Sequence, residues 1–98
     1  MPDTPTHAIV VHVTFTAGLE GAATDVLHGQ VVPGAKAAPG FVAGYWMHAA
    51  DGRTGTSVEL FDSQANAEAE LGRRSTEMPP DAPVSVESAE VLEIAARA

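Results

Sequence analysis

Glu59 lies in the run Ser57-Val58-Glu59-Leu60-Phe61, where strand alternation places it on one side with Ser57 and Phe61. A carboxylate held among apolar neighbours can exchange a proton with a phenol or enol, which makes Glu59 a candidate catalytic base. The plainer role is a strand-edge glutamate that reaches solvent or pairs with Arg53. His28 borders the apolar stripe of a helix and is a second candidate base, because imidazoles exchange protons near neutral pH. Its plainer role is that of an ordinary surface histidine. Tyr45 offers a hydroxyl to orient a substrate oxygen, or a core ring with its hydroxyl satisfied at the margin. Phe41 and Phe61 would wall the same space.

His12, Trp46 and His48 fall on the opposite side when their strands are read as straight. Histidines in mid-strand need hydrogen-bond partners, and a tryptophan there suits an interface anchor, so these three are expected at a dimer interface. No His-x-His or His-x₃-His spacing occurs, and no metal site is expected. Cysteine is absent, which removes thiol nucleophiles, thiolate ligands and a disulfide framework and agrees with a cytoplasmic address. No phosphate-binding glycine loop or nucleophile elbow is present.

These residues need elements to position them. His7 to Phe15 is rich in β-branched residues and predicts a central strand, with Ile9, Val11, Val13 and Phe15 on one apolar face. From Leu19 the apolar positions 19, 22, 23, 26, 27 and 31 share one helical face, and Pro33-Gly34 is expected to end or kink that helix. Pro39-Gly40 turns into a strand over Phe41 to Ala49. Thr56 to Phe61 returns, and Asp62 or Ser63 caps a helix from about Gln64 to Arg73. The segment 77–83, with three prolines, predicts irregular chain before a last strand from Val84 to about Ala95. Residues 1–6 read as a disordered lead-in and 7–98 as a single domain.

The chain of 98 residues carries a formal charge of −8, with five basic residues scattered along it. Phosphate backbones and anionic membranes demand clustered Lys and Arg, so neither nucleic acid nor a membrane surface is expected as a partner. No apolar run is long enough to span a bilayer, and the first residues lack the pattern of a signal peptide.

The order β-α-β-β-α-β predicts an α+β, ferredoxin-like sandwich with a four-stranded antiparallel sheet. Two helices cover one sheet face. The other carries Val10, Val58, Leu60 and Trp46, and leaving it wet would expose an apolar patch that monomers rarely show. A two-fold homodimer, sheet on sheet, is the expected solution.

Ala38-Pro39-Gly40-Phe41, then Gly44-Tyr45, then Ser57 to Ser63 leading into an alanine-rich helix, resembles the dimeric α/β-barrel superfamily, over about residues 7–95. The resemblance is to its antibiotic-biosynthesis-monooxygenase type. It implies a pocket between sheet and helices and a spread of activities: cofactor-free oxidation of polyketide quinols, haem degradation, isomerisation, decarboxylation. Haem-degrading members use an asparagine on the first strand, a tryptophan ending the third and a histidine on the second helix. Val11 and Phe61 stand at the first two positions here, and residues 64–74 contain no histidine, so haem breakdown is disfavoured. The expectation is a homodimer that binds a hydrophobic aromatic or polyketide-like small molecule and, as an enzyme, oxidises it without a cofactor. The alternative is a non-catalytic small-molecule-binding or stress-associated barrel.

Overall fold

The computed structural model describes residues 4–74 and 83–98. Strand β1 (His7–Phe15) is followed by helix α1 (Glu20–Val26), a π-helical turn (Leu27–Val31) and helix α2 (Val32–Ala37). Strands β2 (Phe41–His48) and β3 (Thr54–Phe61), helix α3 (Gln64–Arg74) and strand β4 (Val84–Glu93) complete the chain. The four strands form one antiparallel sheet in the order β2-β3-β1-β4, the α+β arrangement expected from the sequence. The glutamate-bearing β4 is an edge strand, as its composition suggests.

Of the two outcomes expected at Pro33-Gly34, an end or a kink, the helix does not end there but runs on to Ala37. Val32 donates its N–H to the carbonyl of Leu27, five residues back, and this widened turn carries the helix through Pro33 into α2. Proline lacks an N–H and its ring crowds the carbonyl four residues before it, so a wide turn there relieves the conflict. Helix α3 starts where Ser63 Oγ accepts from the Asn66 N–H at 3.1 Å, which identifies Ser63 as the cap. Gly40, at φ +80°, turns the chain into β2, and its carbonyl accepts from the Asp62 N–H at 2.9 Å. A side chain at Gly40 would collide with Asp62 and Asn66.

Ile9, Phe61 and Ala67 form the buried core, with Val11, Ala38, Phe41, Leu71 and Val91 packed around it. Phe41 meets Phe61 edge to face, with centroids 5.9 Å apart. Alanine at position 67 lets α3 approach β1 and β3 closely. At the inner end of the lead-in, Pro5 is buried and Thr6 bonds Phe61 and Ile94 through its backbone. Residues 1–3 and most of the segment 77–83, read as irregular, lie outside the described residues. Among the described residues no helix is long and apolar enough to cross a membrane.

Among the described residues no helix covers the opposite sheet face. Tyr45 is 60 % and Met47 49 % exposed there, beside Val58 and Thr56, and Leu92 is exposed on the far edge strand β4. His12 finds its partner on that face, sharing a 3.1 Å hydrogen bond with Thr56 on the neighbouring strand.

Candidate functional site

Register decides which side chains can meet a ligand. Phe41 stands opposite Phe61, but Ala43 already stands opposite Leu60, so β2 spends two residues where β3 spends one. This β-bulge inverts the alternation of everything after it relative to Phe41. Gly44 then faces Glu59, Tyr45 faces Val58, Trp46 faces Ser57 and His48 faces Gly55.

Two of the expected assignments are corrected by that step. Trp46 and His48, expected at the dimer interface, lie on the helix side. Tyr45, expected in the pocket, lies on the open face. His12 stays on the open face, as expected.

The helix side can be built row by row. Phe61 and His7 form the first row, and Gly44, Glu59, Ile9 and Val91 the second. Helix α3 covers these two. Trp46, Ser57, Val11 and Ala89 make the third row, and His48, Gly55, Val13 and Val86 the fourth, with Phe15 ending β1 beyond it. Val11, Val13, Phe15, Trp46 and Ser57 are only half-buried, and His48 is exposed. The reason is helix placement: α2 packs on β2 and α3 on β1, β3 and β4, whereas α1 packs chiefly on the π turn.

The result is a shelf, apolar on its floor, with two aromatic rings and two polar side chains. Phe15 folds over Gly55, where a Cβ would lie 2.9 Å from the ring. Its ring meets His48 edge-on, with centroids 6.4 Å apart. A hollow of about 340 Å³ opens at the same end, lined by Met47, His48, Ala49, Thr54, Gly55 and Thr56. A second depression, about 440 Å³, lies between α2 and α3 against Gly34, Ala38, Asn66 and Arg73.

The remaining candidates are placed away from the shelf surface. Glu59 is fully buried, and its two oxygens accept from Arg74 Nη1 at 2.5 Å and Nη2 at 2.6 Å. Arg74 also donates Nε to Glu70 Oε2 at 2.6 Å, and Arg73 donates to the same carboxylate. With both oxygens held by Arg74 and no surface open to the shelf, Glu59 has the geometry of an internal ion pair. Its partner is Arg74, not Arg53. Burial pushes the Arg74 guanidinium down, and the hydrogen bonds and charges of Glu59 and Glu70 more than reverse this, holding it above its ordinary value.

His28 lies exposed on the π turn, and among the described residues no side-chain hydrogen bond holds it towards the sheet. Phe61 is fully buried and serves the core, and Phe41 packs on it, so neither is an open wall of the shelf. Sequence reasoning missed Trp46, His48, Ser57 and Phe15 as one group. The signal for it was the bulge, which a straight reading of β2 hides.

Solved structures of known proteins share this architecture. A protein of unknown function from Nitrosomonas europaea superposes with a TM-score of 0.64 and 21 % identity, covering 96 % of this chain and 93 % of its own. The haem-degrader MhuD of Mycobacterium tuberculosis, solved with two haems bound in its active site, gives a TM-score of 0.71 at 11 % identity, covering 94 % and 98 %. The ActVA-Orf6 monooxygenase of Streptomyces coelicolor, solved with Nanaomycin D, gives 0.63 at 15 % identity, covering 96 % and 91 %. No protein-family model matches the chain, and no curated protein matches it significantly. The ferredoxin-like α+β fold expected from the sequence is the one the chain shares with these structures.

Proposed function

We propose that the chain binds a flat, hydrophobic aromatic molecule on the shelf and oxidises an electron-rich phenol there without a cofactor. One observation carries this: Trp46, Ser57, His48 and Phe15 share the half-covered end of the helix-side face. An aromatic ligand gains stacking on Trp46 and edge contact with Phe15, and displaces water from Val11 and Val13. Ser57 can hydrogen-bond a ring oxygen. His48 is exposed at the rim, within the hollow at the hairpin end, and is placed to take a phenolic proton.

The chemistry asks little more of the protein. A phenolate is electron-rich enough to reduce oxygen directly once it is held in a dry, oriented site. A phenol whose ring C–H becomes a quinone C=O takes one atom of O₂, and the other atom leaves as water. Fold similarity to a monooxygenase solved with Nanaomycin D is in keeping with this reading. We do not extend the haem chemistry of MhuD to this chain: the shelf offers Val11 at a position where an asparagine would be expected, and α3 contains no histidine.

The open face suits a second copy of the chain, stacked sheet on sheet, since Tyr45, Met47 and Leu92 would otherwise stay wet. A cytoplasmic homodimer is therefore the assembly we propose.

Trp46 is the single tryptophan of the chain, so its emission reports the shelf directly. Titration with a dihydroxyanthraquinone is expected to quench that emission saturably, and oxygen uptake with a polycyclic quinol is expected to exceed the protein-free rate. Saturable quenching without oxygen uptake would favour the non-catalytic binding protein. Neither response would remove the shelf as a site.

A further inference from the structure

We propose that Gly44 is a positioning residue: its missing side chain seats the Trp46 ring along β2 and keeps the shelf over Ser57 and Val11 open to the ligand. The inference rests on the shelf reading above and deepens it.

Gly44 and Trp46 lie two residues apart on the same strand face, one row nearer the core and one on the shelf. A Cβ built at Gly44 would lie 2.7 Å from Trp46 Cη2 and 2.9 Å from Cζ3, with Phe41 Cζ at 3.2 Å beyond. The far edge of the indole therefore occupies the volume that any side chain at position 44 would need. In that seat the ring runs along its own strand towards Phe41, not across β3. Ser57 and Val11, the next residues of the Trp46 row, are left half-exposed as a consequence.

Gly44 shows no positive φ, so the backbone does not require glycine there. Loss of strand propensity is a real cost in mid-strand, and the room it makes for the indole is what offsets it. An alanine would push the ring out of its seat, either up into the space a ligand would take or sideways over Ser57. Both outcomes narrow the shelf. Position 44 thus sets how wide a ring system the shelf accepts.

The test is a double-mutant cycle on the full chain, with dihydroxyanthraquinone affinity read by calorimetry. Gly44→Ala is expected to shift the Trp46 emission maximum and weaken binding about tenfold or more, the scale on which a small apolar change alters a pocket. In a Trp46→Leu background, Gly44→Ala is expected to have no further effect, because the loss acts through the indole. Equal affinity of Gly44→Ala and the parent, or an undiminished loss in the Trp46→Leu background, would overturn the role of Gly44 while leaving the shelf intact. A parent protein that does not bind the probe would overturn the shelf reading and this inference together. Far-ultraviolet circular dichroism of each variant separates these results from misfolding, and Gly44→Ser repeats the test should Gly44→Ala fail to fold.

Discussion

Glu59 and Arg74, fifteen positions apart, meet in a two-pronged ion pair with contacts of 2.5 and 2.6 Å. The carboxylate is fully buried, and the guanidinium seals it from above while also holding Glu70. The pair ties the last turn of α3 to the middle of the sheet. Breaking it from one side should therefore cost more than removing it whole. Arg74→Ala is expected to lower unfolding stability by about 3 kcal/mol or more, since it strands a buried charge. Glu59→Leu combined with Arg74→Met should recover most of that loss, as measured by urea denaturation. Equal losses in both proteins would contradict the account.

Glu70 gives stability a dependence on acid. Burial pushes its carboxyl up, but hydrogen bonds and charges from Arg73 and Arg74 outweigh burial and leave it below its ordinary value. A lowered folded value means the stabilisation is fully present above the ordinary carboxylate range and is lost as pH falls through the folded value. Stability should thus fall below about pH 4, and Glu70→Gln should flatten that slope while lowering the plateau above it. Arg73, Arg74 and, through Arg74, Glu59 are the charged groups around Glu70, so the Gln variant must be compared with the parent at matched salt.

A substitution at His48 would separate the proposed catalysis from binding. His48→Gln keeps a polar group at the rim and removes the proton acceptor, so oxygen uptake with a polycyclic quinol should fall about 10²-fold or more. Affinity for the quinone should change little. A parallel loss of both would make His48 a binding contact instead. Glu59→Gln, by contrast, is expected to lower stability and leave turnover of the folded protein unchanged.

Tyr45 tests the open face. Tyr45→Glu would put a charge on the face proposed for the sheet-on-sheet contact and is expected to shift native mass spectra from dimer to monomer. Met47→Glu should act in the same direction. A parent protein that is monomeric at micromolar concentration would rule out the second copy as the cover.

Most of the fold was legible because it rests on local signals. β-branched runs marked β1 and β3, Ser63 marked the start of α3, and Gly40 marked the turn into β2. The site was less legible, because it depends on one extra residue in β2. Hydrophobic alternation shows which residues share a face only while the register is regular. Between Phe41 and Ala43 it is not, and Val42 leaves no compositional trace of the bulge. Every face assignment beyond that point was inverted, which is why Tyr45 exchanged places with Trp46 and His48. The sequence leaves Glu59 either among apolar neighbours or at a strand edge reaching solvent, and its full burial agrees with the first. Its partner could not be read, since the pairing needs α3 folded back across the sheet to bring Arg74 within reach. The π turn before Pro33 was equally hidden, for a proline signals a conflict in a helix without saying how the chain resolves it.

The bulged strand has a last consequence. Tyr45, Trp46, Met47 and His48 hang from consecutive peptide units and point alternately to the open face and to the shelf. A ligand on one side and a second chain on the other would thus pull on the same short stretch of backbone. Two occupants that bias one element are coupled, and such coupling is reciprocal by thermodynamic necessity. Ligand affinity should therefore vary with protein concentration across the assembly range, and saturating ligand should move the assembly midpoint by the same factor. A four-residue ribbon would make this chain a place where self-association and small-molecule capture report on each other.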